Sequence, residues 1–467
     1  MMLESHCARR LRQLLFILIF VLTFEGVARK AAPPGFNIPL FLFKDFLVAI
    51  MALYVVQMSP HPAVNFLWNS YKLLVILFVP LVICTGWNDP LLAVFGAKQY
   101  LLFPVVGFAM FYGFQKSKMA QILSFFRAIS LLLIPTAILA FVQLSLPHDN
   151  WLNMSVGGES LEGFSAGGQL RVTSSFSFVS QYCAFLNAQA FIVMIALYGW
   201  RKWNWLWKLA GLSLIAVLVF SCLITGSRGA VAGNTAICLA ALALALMKFQ
   251  VRAVLEIGLL LIFLYLMVLA VNHYSPETTA AYSARENGRL IGISPEIRAR
   301  VVGSFFDLEQ DPALQTYFGN GLGVMSNGTT TFSEYATIWR MRMWTESDFA
   351  STLFEGGYYL VIIWYGFRLI VMGVTTYRFL KNVSAESSFA ASFIQAFLLV
   401  VGSVGTLGMQ PPVAIWWWIG VGTSLVFWWR CVGPSEVDLD LEDELLTSSK
   451  RARGRSLYAD ALHSRPS

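Results

Sequence analysis

HYSPETTAAYSARENGRLIGISPEIRARVVGSFFDLEQDPALQTYFGNGLGVMSNGTTTFSEYATIWRMRMWT, residues 273–345, is the only long polar segment set among apolar runs of bilayer length. A chain turning round at a bilayer surface needs only a few residues, so a segment this long is either a packed lid or a disordered insert. Its aromatics (Phe305, Phe306, Tyr317, Phe318, Trp339 and Trp344) argue for a lid, because disordered segments are poor in them. The remainder of the chain then reads as a helical platform beneath it.

Composition supports the platform. Of 467 residues, 57% are hydrophobic and 13% charged, where soluble domains carry roughly a quarter charged residues. The apolar runs are continuous and rich in Leu, Ile, Val and Phe, which fits helices and not the alternating short strands of a barrel. Six cysteines are scattered without a CxxC pair, so neither a disulfide framework nor a metal site is indicated. Arg9, Arg10 and Arg12 before the first run resemble the start of a signal peptide; no small-residue cleavage pattern follows, and an uncleaved first span is expected.

The expected fold class is all-α, a polytopic membrane protein of about 12 spans, at 13–28, 38–57, 70–85, 99–114, 122–146, 176–199, 208–225, 229–247, 253–272, 349–373, 388–408 and 413–430. The second is the weakest, because Lys44 and Asp45 fall inside it; as neighbours they cannot share a helix face, and both are expected at the membrane interface. Arg9, Arg10, Arg12, Lys116, Lys118, Arg201, Lys202, Lys208, Lys248, Arg252, Arg378 and Lys381 fall on one side if the spans alternate, which the positive-inside rule makes the cytoplasm, with both termini there. Four regions follow: helices 1–9 in 1–272, a large outer loop in 273–346, helices 10–12 in 347–430, and a tail in 431–467. The tail joins an acidic EVDLDLEDELL (436–446) to a basic KRARGR (450–455) and reads as disordered and cytoplasmic. Its basic cluster suits anionic lipid; a solvated tail without a role is the plainer alternative. Sequons at Asn153, Asn327 and Asn382 are short matches of the kind chance supplies.

Few residues are equipped for chemistry. Arg228 in TGSRGAVAG (225–233) occupies an almost loopless turn between two apolar helices, flanked by Gly226 and Gly229. A helix start with close-approach glycines favours an anion, and a guanidinium can hold a phosphate by two parallel hydrogen bonds. The alternative is an arginine reaching for lipid headgroups. Arg171 in GGQLRVTSSFSFVSQYC (167–183) lies just before a span and is followed by Ser and Thr hydroxyls, a second anion corner with the same alternative. Lys98 in AVFGAKQYLLF is a weaker candidate for substrate contact, and a lysine snorkelling to the interface is the preferred account of it. Where the large loop re-enters the membrane, WTESDFASTLFEGG (344–357) offers Glu346 or Asp348 as a general base, with helix capping by Asp348 as the alternative. Arg289, Arg298 and Arg300 are the loop's own substrate-binding candidates. The histidines show no metal-ligand spacing, and no phosphate loop, dinucleotide fingerprint or nucleophile elbow is present.

The order of these features resembles the O-antigen ligase/polymerase superfamily of bacterial envelope enzymes. The likeness covers about 90–430 and rests on the SRG turn, the upstream arginine before Ser/Thr and Phe, one large late loop, the FGNGLG run (318–323) and the E-G-G element at 355–357. It implies a metal- and cofactor-independent glycosyltransferase in a bacterial inner membrane, acting on glycans carried by undecaprenyl pyrophosphate at the periplasmic face with inversion at the anomeric carbon. Arg171 and Arg228 match the family arginines that hold the pyrophosphate. The implied partners are that lipid-linked glycan, the lipid bilayer, and candidate chain-length regulator and flippase proteins, not nucleic acid. Ligases of the family carry a His-Asn pair nine residues before the E-G glutamate; here that place is Glu346-Ser347 ahead of Glu355. The departure favours a polymerase of O-antigen or exopolysaccharide repeat units over a ligase that passes glycan to lipid A core or protein. A lipid-linked glycan transporter is the rival of another class; it should show matched halves and mid-span charges, and neither is evident here.

Overall fold

In a computed structural model the described residues are 2–156, 158, 171–200, 203–274, 317–326, 328–342, 345, 347–382 and 388–432. They are helical throughout, without a strand. The helices are α1 (Met2–Ala31), α2 (Asn37–Val56), α3 (Pro62–Asn88), α4 (Pro90–Leu101), α5 (Pro104–Phe114), α6 (Met119–Ser130), α7 (Leu133–Ser145), α8 (Val179–Ala196), α9 (Trp205–Ile224), α10 (Arg228–Met247), α11 (Val251–Tyr274), α12 (Glu334–Arg342), α13 (Asp348–Asn382), α14 (Ser388–Val404) and α15 (Pro411–Val432). Every apolar run of the sequence lies on a helix. Among the described residues ten stretches are long and apolar enough to cross a membrane, with α6 and α7 counted as one; α4 and α5 together make an eleventh, bent by 41°. α14, at 17 residues, is shorter.

Proline sets the breaks. Pro104 opens α5 and bends it from α4, and Pro135 lacks the N–H that would continue α6 into α7. The bundle is layered round α8 and α15: 83% of the apolar stretch of each is buried, against 11% for α11, which turns most of its Leu and Ile outward. Trp416, Trp417 and Trp418 of α15 are fully buried. Backbones meet where side chains are absent, since a Cβ on Gly422 of α15 would run into the carbonyl of Gly107 on α5. Close approach of this kind is how helices associate where lipid is as apolar as the core.

Lys44 and Asp45 depart from expectation. Both are buried, at 0% and 6% exposure, and not at an interface. Being adjacent they point to different neighbours: Lys44 to Glu25 of α1 at 3.0 Å, Asp45 to Lys98 of α4 at 2.6 Å. The opposite charges that repay their burial lie on other helices, which local spacing does not reveal. The tail, the first part of the large loop with Arg289, Arg298 and Arg300, and Glu346 lie outside the described residues.

Candidate functional site

The SRG turn reverses the chain by its own hydrogen bonds. Gly226 adopts φ 58°, a conformation that favours glycine, and Thr225 Oγ1 donates to the Cys222 carbonyl at 2.7 Å while accepting the Ser227 N–H at 3.1 Å. Ser227 stands at the N-cap of α10 in an extended conformation, yet its hydroxyl makes no cap bond. Instead it accepts from Arg171 Nη2 at 3.3 Å, across 56 residues of sequence. Arg171 is thereby brought to the helix start that Arg228, the residue after Ser227, opens. Exposed Gly229 follows in the first turn of α10.

Arg171 is presented by a loop fixed from two sides, by α7 and by α1. Ser174 donates its N–H to Gln143 Oε1 at 2.7 Å and its hydroxyl to the Thr136 carbonyl at 2.7 Å, both on α7. These bonds hold Ser174 at φ 53°, unusual for a residue with a side chain. The Ser175 hydroxyl donates to the Thr23 carbonyl, and Val27 N–H to the Ser175 carbonyl at 2.8 Å, both on α1. Gly26 admits this contact, because a Cβ there would overlap the Phe176 backbone. The hydroxyls of Thr173, Ser174 and Ser175, expected as part of an anion corner, are thus buried and committed to seating the loop. Of that corner, Arg171 itself remains as the group placed beside α10.

Sequence reasoning missed Lys30. Its ammonium donates to the Thr173 hydroxyl at 3.0 Å and the Leu152 carbonyl at 2.8 Å, tying the end of α1 to the arginine loop through neutral acceptors. Beside it, Arg29 pairs with Glu25 at 3.3 Å and Lys44 with the same carboxylate at 3.0 Å, while Lys98 pairs with Asp45 at 2.6 Å. All three cations stand near the ring of Phe41, at 5.0, 3.8 and 5.7 Å from its centroid. A signal existed: the positive-inside rule explains cations on one side only, and the expected alternation of spans assigns Arg29, Lys30, Lys98, Arg171 and Arg228 to the other. Lys98 therefore sits in an ion-pair network next to the arginine site; no contact brings it to Arg171 or Arg228. Its neighbour Gln99 is 2% exposed, and neither end of its amide finds a partner among the described residues.

The re-entry region forms a separate lock. The FGNGLG run packs on α13 where Gly357, at φ 63°, breaks the helix. Asn320 N–H bonds to the Phe354 carbonyl at 2.8 Å, Gly321 N–H to the Glu355 carbonyl at 3.0 Å and Leu322 N–H to Thr85 Oγ1 at 2.9 Å. A Cβ on Gly319 would collide with Gly356 N, and one on Gly96 of α4 with the Leu322 carbonyl carbon. The Glu355 carboxylate, 1% exposed, accepts from Tyr100 Oη at 2.7 Å and from Met325 N–H at 2.9 Å. Leu92, Val324, Met325, Ala336, Leu353 and Phe354 form a small core, so the described part of the large loop is packed against α4 and α13. Asp348 is drawn into the protein as well. Its Oδ2 pairs with Arg368 at 2.5 Å and accepts from Tyr365 Oη at 3.1 Å; its Oδ1 accepts the Gly408 N–H at 3.1 Å. The cap expected of Asp348 is supplied by Ser347, whose hydroxyl accepts from Ala350 N–H at 3.4 Å. With both oxygens engaged, Asp348 has the environment of a structural ion pair and not of a general base.

Among the described residues no three His, Cys, Asp or Glu side chains come close enough together to hold a metal ion. No known protein family, curated protein or solved structure matches the chain. The geometry brings Arg171 to Ser227, next to Arg228 at the start of α10, with the Arg29, Lys44 and Lys98 ion-pair network on neighbouring helices.

Proposed function

We propose that the protein is a membrane glycosyltransferase that polymerises lipid-pyrophosphate-linked oligosaccharide repeat units. The observation that carries the reading is the bond of Arg171 to Ser227, which brings it to the uncapped helix start that Arg228 opens. Two guanidinium groups and a helix N-terminus suit a diphosphate, whose charge grows as it leaves the anomeric carbon. The acceptor hydroxyl attacks that carbon from the opposite face, its proton passes to a carboxylate, and the sugar inverts. Glu346 is the proposed proton acceptor. Asp348 leaves this role for the structural one, and Lys98 supports the site without touching the diphosphate. The bent pair α4–α5 as one span and α14 as another bring the count to twelve, with both termini cytoplasmic and the arginine site at the periplasmic face of a bacterial inner membrane. Each helix end that contributes to the site is then on the same side, which supports that arrangement.

The test is elongation in liposomes supplied with lipid-linked oligosaccharide, with glycan length read on a gel. A ladder that disappears in Arg171→Ala, Arg228→Ala and Glu346→Gln is expected. Transfer to added lipid A core without a ladder would replace polymerase by ligase. Movement of intact lipid-linked glycan across the bilayer, with no new bond, would overturn the enzyme reading.

A further inference from the structure

At the other end of the bundle, residues of α1, α5 and α6 line an open cavity of about 520 Å³ that the proposed reaction does not use. Arg12 of α1, Phe114 of α5, and Ala120, Gln121, Ser124, Phe125 and Ala128 of α6 line it. Of the five α6 residues, Gln121, Ser124, Phe125 and Ala128 follow i, i+3, i+4, i+7 spacing and so form one stripe along the helix. Its polar members, Gln121 and Ser124, come before Phe125 and Ala128 along the helix axis, with the small Ala120 beside Gln121.

Arg12 is held in place by one nitrogen only. Nη1 donates to the Gly113 carbonyl at 2.8 Å and to Ser117 Oγ at 3.1 Å, both neutral acceptors. Among the described residues no carboxylate lies within ion-pair distance of Arg12. The chain positions the guanidinium against the end of α5 and leaves Nη2 and Nε for something else. Arg9 and Arg10, one turn earlier on α1, and Lys116 and Lys118 in the α5–α6 connection place further cations at this end.

We propose that the cavity is a binding site for an anionic phospholipid, its phosphodiester on Arg12 with Gln121 and Ser124 beside the headgroup, and its first acyl segment along Phe125, Ala128 and Phe114. The volume falls in the range of sites for small ligands. A phosphodiester accepts two parallel N–H bonds from a guanidinium, and basic pockets between membrane helices suit anionic headgroups. The polarity gradient of the α6 stripe matches that of a lipid entering from the bilayer surface, which a free phosphate would not require.

The full chain, purified in mild detergent, is offered phosphatidylglycerol mixed with phosphatidylcholine, and bound lipid is counted by native mass spectrometry. Retention of phosphatidylglycerol over phosphatidylcholine by roughly tenfold is expected, as for one charge-assisted bond pair. Arg12→Gln and Ser124→Trp should each abolish the preference, the first by removing the charge and the second by filling the cavity with Arg12 intact. Arg10→Gln, on the exposed side of α1, should keep it. Equal retention of the two lipids by the wild type, or an undiminished preference in Ser124→Trp, would overturn the proposal. So would binding of inorganic phosphate that depends on Arg12 in a protein showing no lipid preference, because the site would then serve a soluble anion. Should Arg12→Gln fail to fold, Ser124→Trp decides alone.

Discussion

Replacing Arg368 by Met tests whether Asp348 is part of the framework or of the chemistry. The guanidinium is fully buried, 2.5 Å from Asp348 Oδ2, and its other nitrogens donate to the carbonyls of Gly402 and Gly405. Arg368→Met leaves a buried carboxylate with one tyrosine hydroxyl and one backbone N–H. Breaking such a pair from one side costs about 3–5 kcal/mol. Coulomb attraction gives the same scale, about 4 kcal/mol for charge centres roughly 4 Å apart at an effective dielectric near 20. Asp348→Asn keeps the shape and strands the arginine instead; the Gly402 and Gly405 carbonyls continue to receive it, so its cost belongs at the low end of that range. Asp348→Leu with Arg368→Met removes both charges, and a hydrophobic replacement of a buried pair is often close to neutral. The cycle should therefore show a coupling of at least about 2 kcal/mol, read from thermal unfolding of the detergent-solubilised protein, and the double variant should still elongate glycan. A stable Asp348→Asn protein with wild-type unfolding and no elongation would refute the reasoning, because Asp348 would then be acting on substrate.

Three further outcomes follow from the same geometry. Lys30→Met removes an ammonium from Thr173 and Leu152; with charged hydrogen bonds contributing about 1.5–3 kcal/mol, the arginine loop should loosen and elongation should lose donor affinity more than turnover, as read from KM against kcat. Tyr100→Phe leaves Glu355 Oε2 buried without its donor, an expected loss of about 1–3 kcal/mol in the thermal unfolding curve, and Gly319→Ala should be at least as damaging because φ is +68° and the added Cβ meets the α13 backbone. His61 caps α3 by accepting the Ala63 N–H on Nδ1 at 3.2 Å, and burial, then the charge of Lys116, holds its pKa below the ordinary value. A base whose folded pKa is lowered stabilises fully above its unfolded pKa of about 6.5 and loses that contribution as pH falls through the folded value, so acidification should lower the unfolding temperature and His61→Asn, a cap that does not titrate, should flatten that dependence.

The helices were legible because a spanning run is a local property: about 20 apolar residues in a row admit no other structure in a bilayer. The bends at Pro104 and Pro135 are local too. Arg171 and Arg228 could each be picked out as cations that the expected alternation of spans assigns to the side where cations are scarce, yet nothing in the sequence says that Arg171 reaches Ser227 beside Arg228, since that contact closes over 56 residues. Lys44, Asp45 and Asp348 were misjudged for one reason. Their partners, Glu25, Lys98 and Arg368, are set by helix packing, and burial of a charge is decided by the partner and not by the residue. The Ser and Thr after Arg171 went the same way: hydroxyls suited to an anion are suited equally to backbone carbonyls, and α1 and α7 supply those.

One short helix connects the regions that the sequence presents as separate. Within one turn and a half of α4, Gly96 lies under the Leu322 backbone, Lys98 pairs with Asp45, and Tyr100 reaches Glu355. Residues two apart on a helix point about 200° apart, so α4 can face the large loop with one side and the cation network of α1 and α2 with the other. A shift of the FGNGLG run would press on Gly96, where no side chain stands between the two backbones to absorb it. The same movement would bear on Tyr100 and, through the rigid helix, on Lys98 and the network beside the arginine loop. The FGNGLG run and the arginine loop are in this way parts of one packed unit: the lock at Glu355 fixes where that run sits, and α4 carries that position toward α1, whose Lys30 holds the Arg171 loop.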